Sequence, residues 1–212
     1  MVKLTRFSKH APEHVLSRTI PILMRNVAHY IPNDLSSSLA KVVAYCLKCI
    51  TCRGDDTLAM AMGIKGAAFV LMVRLLPHFK GRMKDVLIKW WLVLVTFCAV
   101  SRRDVADHDR LEIVINLLDS HINCIARRYL LEILTVLALW EDIRRKLTTL
   151  GAFHLLVEAA GTGSVICRER AYQTVELLGI TQGARHELVE LGVISVLVEL
   201  MLDGDQCTKL IA

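Results

Sequence analysis

The sequence predicts an all-α fold, a solenoid of three-helix repeats, and three observations support this prediction. First, the segments 143–160 and 184–201 align without a gap at a spacing of 41 residues, and a period of about 40 residues is typical of helical solenoids. Second, apolar residues follow helical spacing, and no stretch alternates convincingly with period two. Third, the 212 residues include only four prolines. The identical residues of the two segments are Arg144, Leu147, Leu150, Gly151, Leu156, Val157 and Glu158, and Arg185, Leu188, Leu191, Gly192, Leu197, Val198 and Glu199.

The first half of the chain contains divergent copies of this repeat. Residues 1–14 form a basic N-terminal segment, and the repeat domain covers 15–212 with about four units and a truncated fifth. The segment LMVRLL at 71–76 aligns with IVINLL at 113–118 at a spacing of 42. The charged segment 101–110 is expected to be irregular and to replace one short helix. Helices are predicted at Ile20–Tyr30, Ser37–Thr51, Asp55–Met62, Lys84–Val100 and His121–Leu139.

The second half gives the clearest units. A short helix ends at Gly151 or Gly192, because glycine takes the left-handed conformation that ends helices at little cost. The chain stops within a third helix, so we expect a fragment of a longer array or a C-terminus that packs on a partner. Helices are predicted at Glu141–Leu150, Ala152–Ala160, Val165–Gly179, Ala184–Leu191, Val193–Leu202 and Asp205–Ala212.

Composition and charge exclude several classes of function. Apolar residues make up 54% of the chain and the mean hydropathy is +0.44, but the longest uncharged run is the twelve residues Trp90–Ser101. A membrane span needs about 20 apolar residues, so no span is predicted. The net charge of +5 has no long basic block, which argues against nucleic acid as a partner. Seven cysteines, an odd number, indicate a reducing compartment, the cytoplasm or the nucleus.

The segments Leu150–Glu158 and Leu191–Glu199 resemble the armadillo repeat family. Both are similar to its "AGALPLLVELL" signature, with Phe153 and Ile194 where proline is usual. The two-helix HEAT repeat is the nearest alternative, and the additional short helix before glycine favours armadillo. The resemblance implies a right-handed α-solenoid whose third helices line a concave groove.

The resemblance also implies candidate residues on the third helices. The family often carries a tryptophan that packs along the groove and an asparagine that pins the main chain of an extended peptide. The tryptophan places are Tyr45, Trp90, Glu132 and Gln173, and the asparagine places are Cys49, Leu94, Val136 and Leu177. One turn before the tryptophan places lie Lys41, Val86, Arg128 and Glu169. Since no asparagine is present, a role like that of importin-alpha nuclear-signal receptors is not expected. The predicted partner-binding residues are Lys41, Tyr45, Trp90, Leu94, Arg128, Glu132 and Gln173.

These partner-binding assignments have a structural alternative. The residues at the tryptophan places and those one turn before them could instead form a solvated helix face, for which the i,i+4 pair Arg128–Glu132 is suited. Because adjacent residues on a helix are about 100° apart, Trp90 and Trp91 are not expected to face inward together. One should pack in the core and the other line the groove or a neighbouring helix, and for Trp90 core packing is nearly as well supported as a contact with a partner.

The cysteines at 46, 49 and 52 have a spacing that can hold zinc or part of an iron–sulfur cluster. No fourth ligand lies nearby, so packing of small apolar side chains in the core is favoured. No GxSxG, HExxH or phosphate-binding loop occurs. We therefore predict no catalytic residues, no metal and no cofactor.

The sequence thus predicts a non-enzymatic protein–protein interaction scaffold. Its partner would be a peptide or helix in the concave groove, with no small-molecule substrate. Three alternatives remain open. They are the substrate-recognition region of a ubiquitin ligase complex, an enzyme that uses the cysteine cluster as a metal site, and a nucleic-acid role for the basic residues.

Overall fold

The computed structural model describes residues 10–30, 38–53, 56–120 and 122–203. Every regular element in these ranges is a helix, which confirms the all-α prediction. The chain divides into two compact units, residues 1–107 and 108–212, and each unit is described by itself. The predicted N-terminal segment 1–14 and the predicted helix 205–212 lie partly and wholly, respectively, outside the described residues.

Unit 1 contains two third helices, each of which packs against first and second helices. The helices are α1 Glu13–Tyr30, α2 Ser38–Thr51, α3 Asp56–Ile64, α4 Ala67–Val70, α5 Arg82–Phe97 and α6 Ala99–Val105. Helix α2 packs against α1 and α5, and α5 also packs against α3 and α6. The chain passes from α4 directly into a π-helical turn, Leu71–Leu75. In this order α2 and α5 are third helices, α3 and α6 are first helices, and α1 and α4 are second helices.

Unit 2 repeats the same order with greater regularity. The helices are α7 His108–Asp119, α8 Cys124–Ala138, α9 Glu141–Thr149, α10 Phe153–Thr162, α11 Val165–Gly179, α12 Gln182–Glu190 and α13 Val193–Asp203. The third helices α8 and α11 pack side by side, and α10 packs against α11. The helices predicted between residues 121 and 202 are therefore confirmed to within about three residues at their ends.

The prediction for the charged segment 101–110 is wrong. Residues 101–110 were expected to be irregular, but Ala99–Val105 is a helix and α7 begins at His108. The short helix buries Ser101 and Val105 and exposes Arg103. The charged segment is therefore a regular first helix, with Arg103 on its outer side.

The glycines after the first helices turn the chain as predicted. Gly151 has φ +66° and Gly192 has φ +79°, in the region that side chains with a Cβ rarely adopt. The Gly151 N–H donates to Thr148 O at 3.2 Å, and the Gly192 N–H donates to Val189 O at 3.0 Å. These bonds end α9 and α12, and the second helix of each unit follows at once.

The high hydropathy of the chain is explained by its core. Trp90, Trp91 and Phe153 are fully buried, each with 0% exposure, beside many aliphatic side chains. In the described ranges no individual helix has the length and apolar character needed to cross a membrane. The pair Asp56–Ile64 and Ala67–Val73 meets that test only when combined, and it is bent by 73°.

A recurring arginine caps the third helices. Arg144 Nη1 donates to Ala138 O at 2.8 Å and to Leu139 O at 3.1 Å. Arg102 Nη1 donates to Val95 O at 2.9 Å and to Thr96 O at 2.8 Å. Arg185 Nη2 donates to Ile180 O at 3.3 Å. In each case an arginine of a first helix satisfies carbonyl groups at the end of the preceding third helix, where no intrahelical donor remains. This explains why Arg144 recurs as Arg185.

We expect Arg144→Ala to lower the free energy of unfolding by about 1–2 kcal/mol, because two charge-assisted hydrogen bonds to the end of α8 are lost. Chemical denaturation followed by circular dichroism would measure this change. The matched control is Arg145→Ala. Arg145 pairs with Glu141 at the surface, where the side chains are 65% and 60% exposed, and its removal should cost at most about 0.5 kcal/mol. Equal effects of the two substitutions would contradict the capping role.

Candidate functional site

The third helices of unit 1 present a basic face. Helix α2 exposes Lys41 and leaves Tyr45 and Lys48 half-buried on the same side, one helical turn apart. Helix α5, which packs beside α2, exposes Lys89 and leaves Val86 half-buried. We call this surface the unit 1 face and define it by Lys41, Tyr45, Lys48, Arg82, Val86, Lys89 and Val93.

Two observations describe the surroundings of Lys48 and Cys52. Lys48 Nζ lies 5.8 Å from the centre of the Tyr45 ring, within the range of a cation–π interaction. Burial raises the pKa of the Cys52 thiol, and the positive charges of Lys48 and Lys89 partly oppose that rise.

Two of the four partner-binding residues predicted in unit 1 do not lie on this face. Trp90 and Leu94 are both buried, with 0% exposure. The prediction that these two side chains contact a partner is therefore wrong. One residue along a helix is a rotation of about 100°, and in α5 the outward position belongs to Lys89. The expectation that Trp90 and Trp91 cannot face inward together is also wrong, because both side chains are 0% exposed.

Sequence reasoning missed Lys48 and Lys89, although a signal for them was present. The spacing of 41 residues that relates 143–160 to 184–201 also relates Lys48 to Lys89 and Tyr45 to Val86. Applied to the first half of the chain, this period predicts Lys89 as an outward-facing residue of α5, as the structure has it. The alignment taken from the armadillo resemblance instead matched Tyr45 with Trp90, four residues beyond Val86, the position that the 41-residue spacing gives.

The third helices of unit 2 bring together three of the predicted residues. Arg128 Nε lies 3.2 Å from Glu132 Oε1, as expected for an i,i+4 pair. Arg170 Nε of the neighbouring helix lies 3.3 Å from the same carboxylate oxygen, and Arg170 Nη1 donates to Gln173 Oε1 at 2.8 Å. We call this set of four residues the unit 2 network. Glu132 thus links two arginines across the α8–α11 contact.

The unit 2 network is held in place by the helices beneath it. Thr135 Oγ1 and Thr174 Oγ1 share a hydrogen bond at 2.8 Å between α8 and α11. Each hydroxyl also lies 2.9 Å from a carbonyl oxygen of its own helix. The Glu132 side chain is 17% exposed, and those of Arg128 and Arg170 are 41% and 32% exposed. The network is therefore ordered, and its arginines reach the surface.

The places where an asparagine would pin a peptide main chain offer no such group. Cys49 and Leu94 are buried, and Val136 and Leu177 are half-buried. Apolar and thiol side chains supply no paired donor and acceptor. The third helices therefore lack the array that pins an extended backbone.

The cysteine cluster is part of the core. Cys46 and Cys49 are buried and Cys52 is half-buried. Burial, followed by the nearby Cys49, raises the pKa of the Cys46 thiol, which disfavours the thiolate that a metal requires. Among the described residues no group of three or more His, Cys, Asp or Glu side chains could hold a metal ion.

Unit 2 also contains a small cleft. It has a volume of about 240 Å³ and lies between α7, α8 and α10. Ligand pockets for small molecules commonly measure about 300–1,000 Å³ and are mostly apolar. This cleft is smaller and carries three charged side chains. Its lining residues are Leu118, Asp119, Arg127, Leu155, Glu158 and Ala159.

The fold is similar to that of solved armadillo repeat proteins. A designed armadillo repeat protein in complex with the peptide (KR)4 matches with a TM-score of 0.71 and 13% identity, over 99% of this chain and 95% of that chain. Computationally designed armadillo repeat proteins for modular peptide recognition match with a TM-score of 0.73 and 12% identity, with the same coverage. An engineered protein matches with a TM-score of 0.80 and 16% identity, over 98% of this chain and 50% of that chain. No protein-family model and no curated protein matches the sequence. The predicted armadillo fold is confirmed.

Proposed function

We propose that this armadillo-fold chain is a non-enzymatic protein-interaction scaffold that binds a segment of a partner protein along its third helices. The observation that carries the proposal is the unit 2 network, an ordered set of hydrogen-bonding side chains at the surface of α8 and α11. Further support comes from two similar folds, one solved with a bound peptide and the other designed for peptide recognition.

The unit 2 network has hydrogen-bonding capacity to spare. Among the described residues, Arg128 pairs with Glu132 through Nε, and its two Nη groups carry no hydrogen bond. Gln173 accepts from Arg170 through Oε1, so its amide NH₂ group is left to donate. A partner that meets these donors gains from side chains that are already ordered, because little further conformational entropy is lost on binding.

The same surface restricts the kind of partner. Because Val136 and Leu177 occupy places where an asparagine would hold a peptide main chain, the partner is recognised through its side chains. A helix, or a segment with polar and apolar side chains, fits this surface better than an extended backbone-pinned peptide. The mechanism is burial of that segment, without turnover of a substrate.

We also propose that the scaffold works in the cytoplasm or the nucleus. Six cysteines within the described ranges are free thiols, and four of these are buried. Free thiols in the core are compatible with a reducing compartment. Fractionation of source cells with an antibody to the chain would test this proposal, and recovery in an oxidising compartment would overturn it.

Site-specific photo-cross-linking tests the proposed function. A photoreactive amino acid replaces Gln173 in the full chain, and the matched control carries it at Glu112, which is exposed on the second helix α7 of the same unit. In extract of the source cells we expect a discrete protein adduct from position 173 and none from position 112. Mass spectrometry of the adduct then identifies the partner segment.

A substitution ties this adduct to the unit 2 network. Arg128→Ala should reduce the adduct yield by about threefold to fivefold, since the surface arginine supplies contacts worth about 0.7–1 kcal/mol. The same substitution should change the free energy of unfolding by no more than about 0.5 kcal/mol. Adducts of equal yield from positions 173 and 112 would contradict the proposal.

A further inference from the structure

The charge of the protein is divided unevenly between its two units. Residues 1–107 contain sixteen Lys and Arg residues against seven Asp and Glu residues, whereas residues 108–212 contain ten against fourteen. Unit 2 is therefore acidic, although the whole chain is basic. Because its acidic residues outnumber its basic residues, ion pairs within unit 2 leave some of its carboxylates uncompensated.

The acidic excess of unit 2 lies on its second helices. Helices α7, α10 and α13 carry six Asp and Glu residues and one Arg. The first helices α9 and α12 carry four basic and four acidic residues, and the third helices α8 and α11 carry four basic and three acidic residues. The second helices are thus the part of unit 2 that attracts a cation.

The small cleft described above lies between two of these second helices, α7 and α10, beside the start of α8. Its three apolar residues are buried, its two acidic residues are exposed, and its arginine is half-buried. The cleft therefore has apolar side chains inside and charged side chains at its edge. We call it the unit 2 cleft and define it by Leu118, Asp119, Arg127, Leu155, Glu158 and Ala159.

The two carboxylates of the unit 2 cleft are available to a ligand. Within the described ranges, Asp119 and Glu158 form no ion pair with Arg127 or with any other residue. Asp119 is also the last residue of α7, and the C-terminal end of a helix carries a partial negative charge that favours a cation. The cleft therefore offers two carboxylates and a helix end to a positively charged group.

The volume of the unit 2 cleft limits what can enter it. At about 240 Å³ it lies below the range of about 300–1,000 Å³ that is common for small-molecule pockets, so it suits one side chain rather than a whole ligand. A long basic side chain has the matching structure, because its aliphatic stem packs on apolar residues while its charged group stays at the surface.

We propose that the unit 2 cleft binds a lysine or arginine side chain of a partner protein. The stem of that side chain lies on Leu118, Leu155 and Ala159. Its cationic group pairs with Asp119 and Glu158, and charge complementarity of this kind selects the partner. This inference goes beyond the proposed function, because it places a contact on the second helices rather than on the third.

A nuclear magnetic resonance titration with a defined probe tests the inference. The probe is a blocked tetrapeptide of glycine with one lysine, added to the ¹⁵N-labelled full chain in about 0.1 M salt. We expect changes in the amide shifts of residues 118–119 and 155–159, which line the cleft. A matched peptide with norleucine in place of lysine keeps the stem and lacks the charge. It should bind about threefold to thirtyfold more weakly, since two surface ion pairs are lost.

Neutralising the two carboxylates should weaken the lysine peptide to the same degree. We expect Asp119→Asn/Glu158→Gln to reduce its affinity by about threefold to thirtyfold. The matched control is Glu112→Gln/Glu199→Gln, which removes the same charge from exposed positions of α7 and α13 outside the cleft. This control should change the affinity by less than about twofold, because salt screens charges that are more than about 10 Å apart. Arg127→Gln should not weaken binding, since it removes a positive charge from the edge of the cleft.

Three outcomes would overturn the inference. One is equal affinity of the norleucine and lysine peptides, which would leave the carboxylates without a role. Another is equal weakening in the cleft variant and its control, which would mean attraction by net charge alone. The last is tighter binding of a peptide with glutamate in place of lysine, which would assign the cleft to an anion held by Arg127. The amide spectrum of each variant shows whether it is folded.

The inference and the proposed function fail separately. If the lysine peptide leaves the amide shifts of the cleft unchanged while position 173 still yields its specific protein adduct, the scaffold function stands and the cleft proposal is excluded. If position 173 yields no adduct while the peptide binds at the cleft with the expected pattern, binding along the third helices is excluded and the cleft proposal stands.

Discussion

Trp90→Ala is expected to lower the free energy of unfolding by about 3–5 kcal/mol, the usual cost of deleting a large aromatic side chain from a packed core. Trp90 is 0% exposed and lies in α5, which packs against α2, α3 and α6. Its removal leaves a cavity at the centre of unit 1. Urea denaturation of the full chain, followed by far-ultraviolet circular dichroism, would measure the loss.

Phe97→Ala is the matched control for this substitution. Phe97 is an aromatic residue at the end of the same helix and is 44% exposed. We expect its removal to cost less than about 1.5 kcal/mol, because much less apolar area returns to water. If Trp90→Ala were as stable as the unchanged protein and lost only partner binding, Trp90 would lie on the surface, and the structural assignment of α5 would be wrong.

Gly63→Ala is expected to destabilise unit 1 by about 1–3 kcal/mol, and Gly63→Val by more. Gly63 is buried in α3 where it crosses α6. A Cβ at this position would lie 2.2 Å from Cys98 Sγ, 2.6 Å from Ser101 Oγ and 2.7 Å from Cys98 Cβ. The two helices must separate to admit it, and such overpacking costs more than the helix propensity gained by removing a glycine. Thermal unfolding would show the effect as a lowered midpoint.

Gly183→Ala gives the opposite expectation. Gly183 lies in α12, has ordinary backbone angles, and a Cβ there would meet no atom within 4 Å. The substitution should be neutral or stabilise the protein by up to about 1 kcal/mol. A tolerated Gly63→Ala would show that α3 and α6 are less closely packed than the structure indicates.

The fold was predictable where the repeat is clearest. The gapless echo between 143–160 and 184–201 set the positions of α9 to α13, and Val165–Gly179 matches the observed α11 at both ends. The charged segment 101–110 was misinterpreted because charge density was taken as a sign of irregular structure. Arg102 instead caps α5 by donating to Val95 O and Thr96 O, a long-range role that composition does not reveal.

The candidate site was predictable only in part. The Arg128–Glu132 pair follows from i,i+4 spacing alone, whereas the contact of Arg170 with Glu132 depends on how α8 and α11 pack. The outward register of α5 was missed, because one residue is enough to turn a side chain from the surface into the core. Trp90 was assigned through the armadillo resemblance, whereas Lys89 occupies the outward place. A consistent 41-residue period would have found Lys89 from Lys48.

The most direct test of the central claim, that the third helices bind a partner protein, is the comparison of photo-cross-linking from position 173 with that from position 112. We expect a discrete protein adduct from position 173, reduced by Arg128→Ala, and no adduct from position 112. Equal adducts from both positions, or no adduct from position 173 in a folded chain, would contradict it.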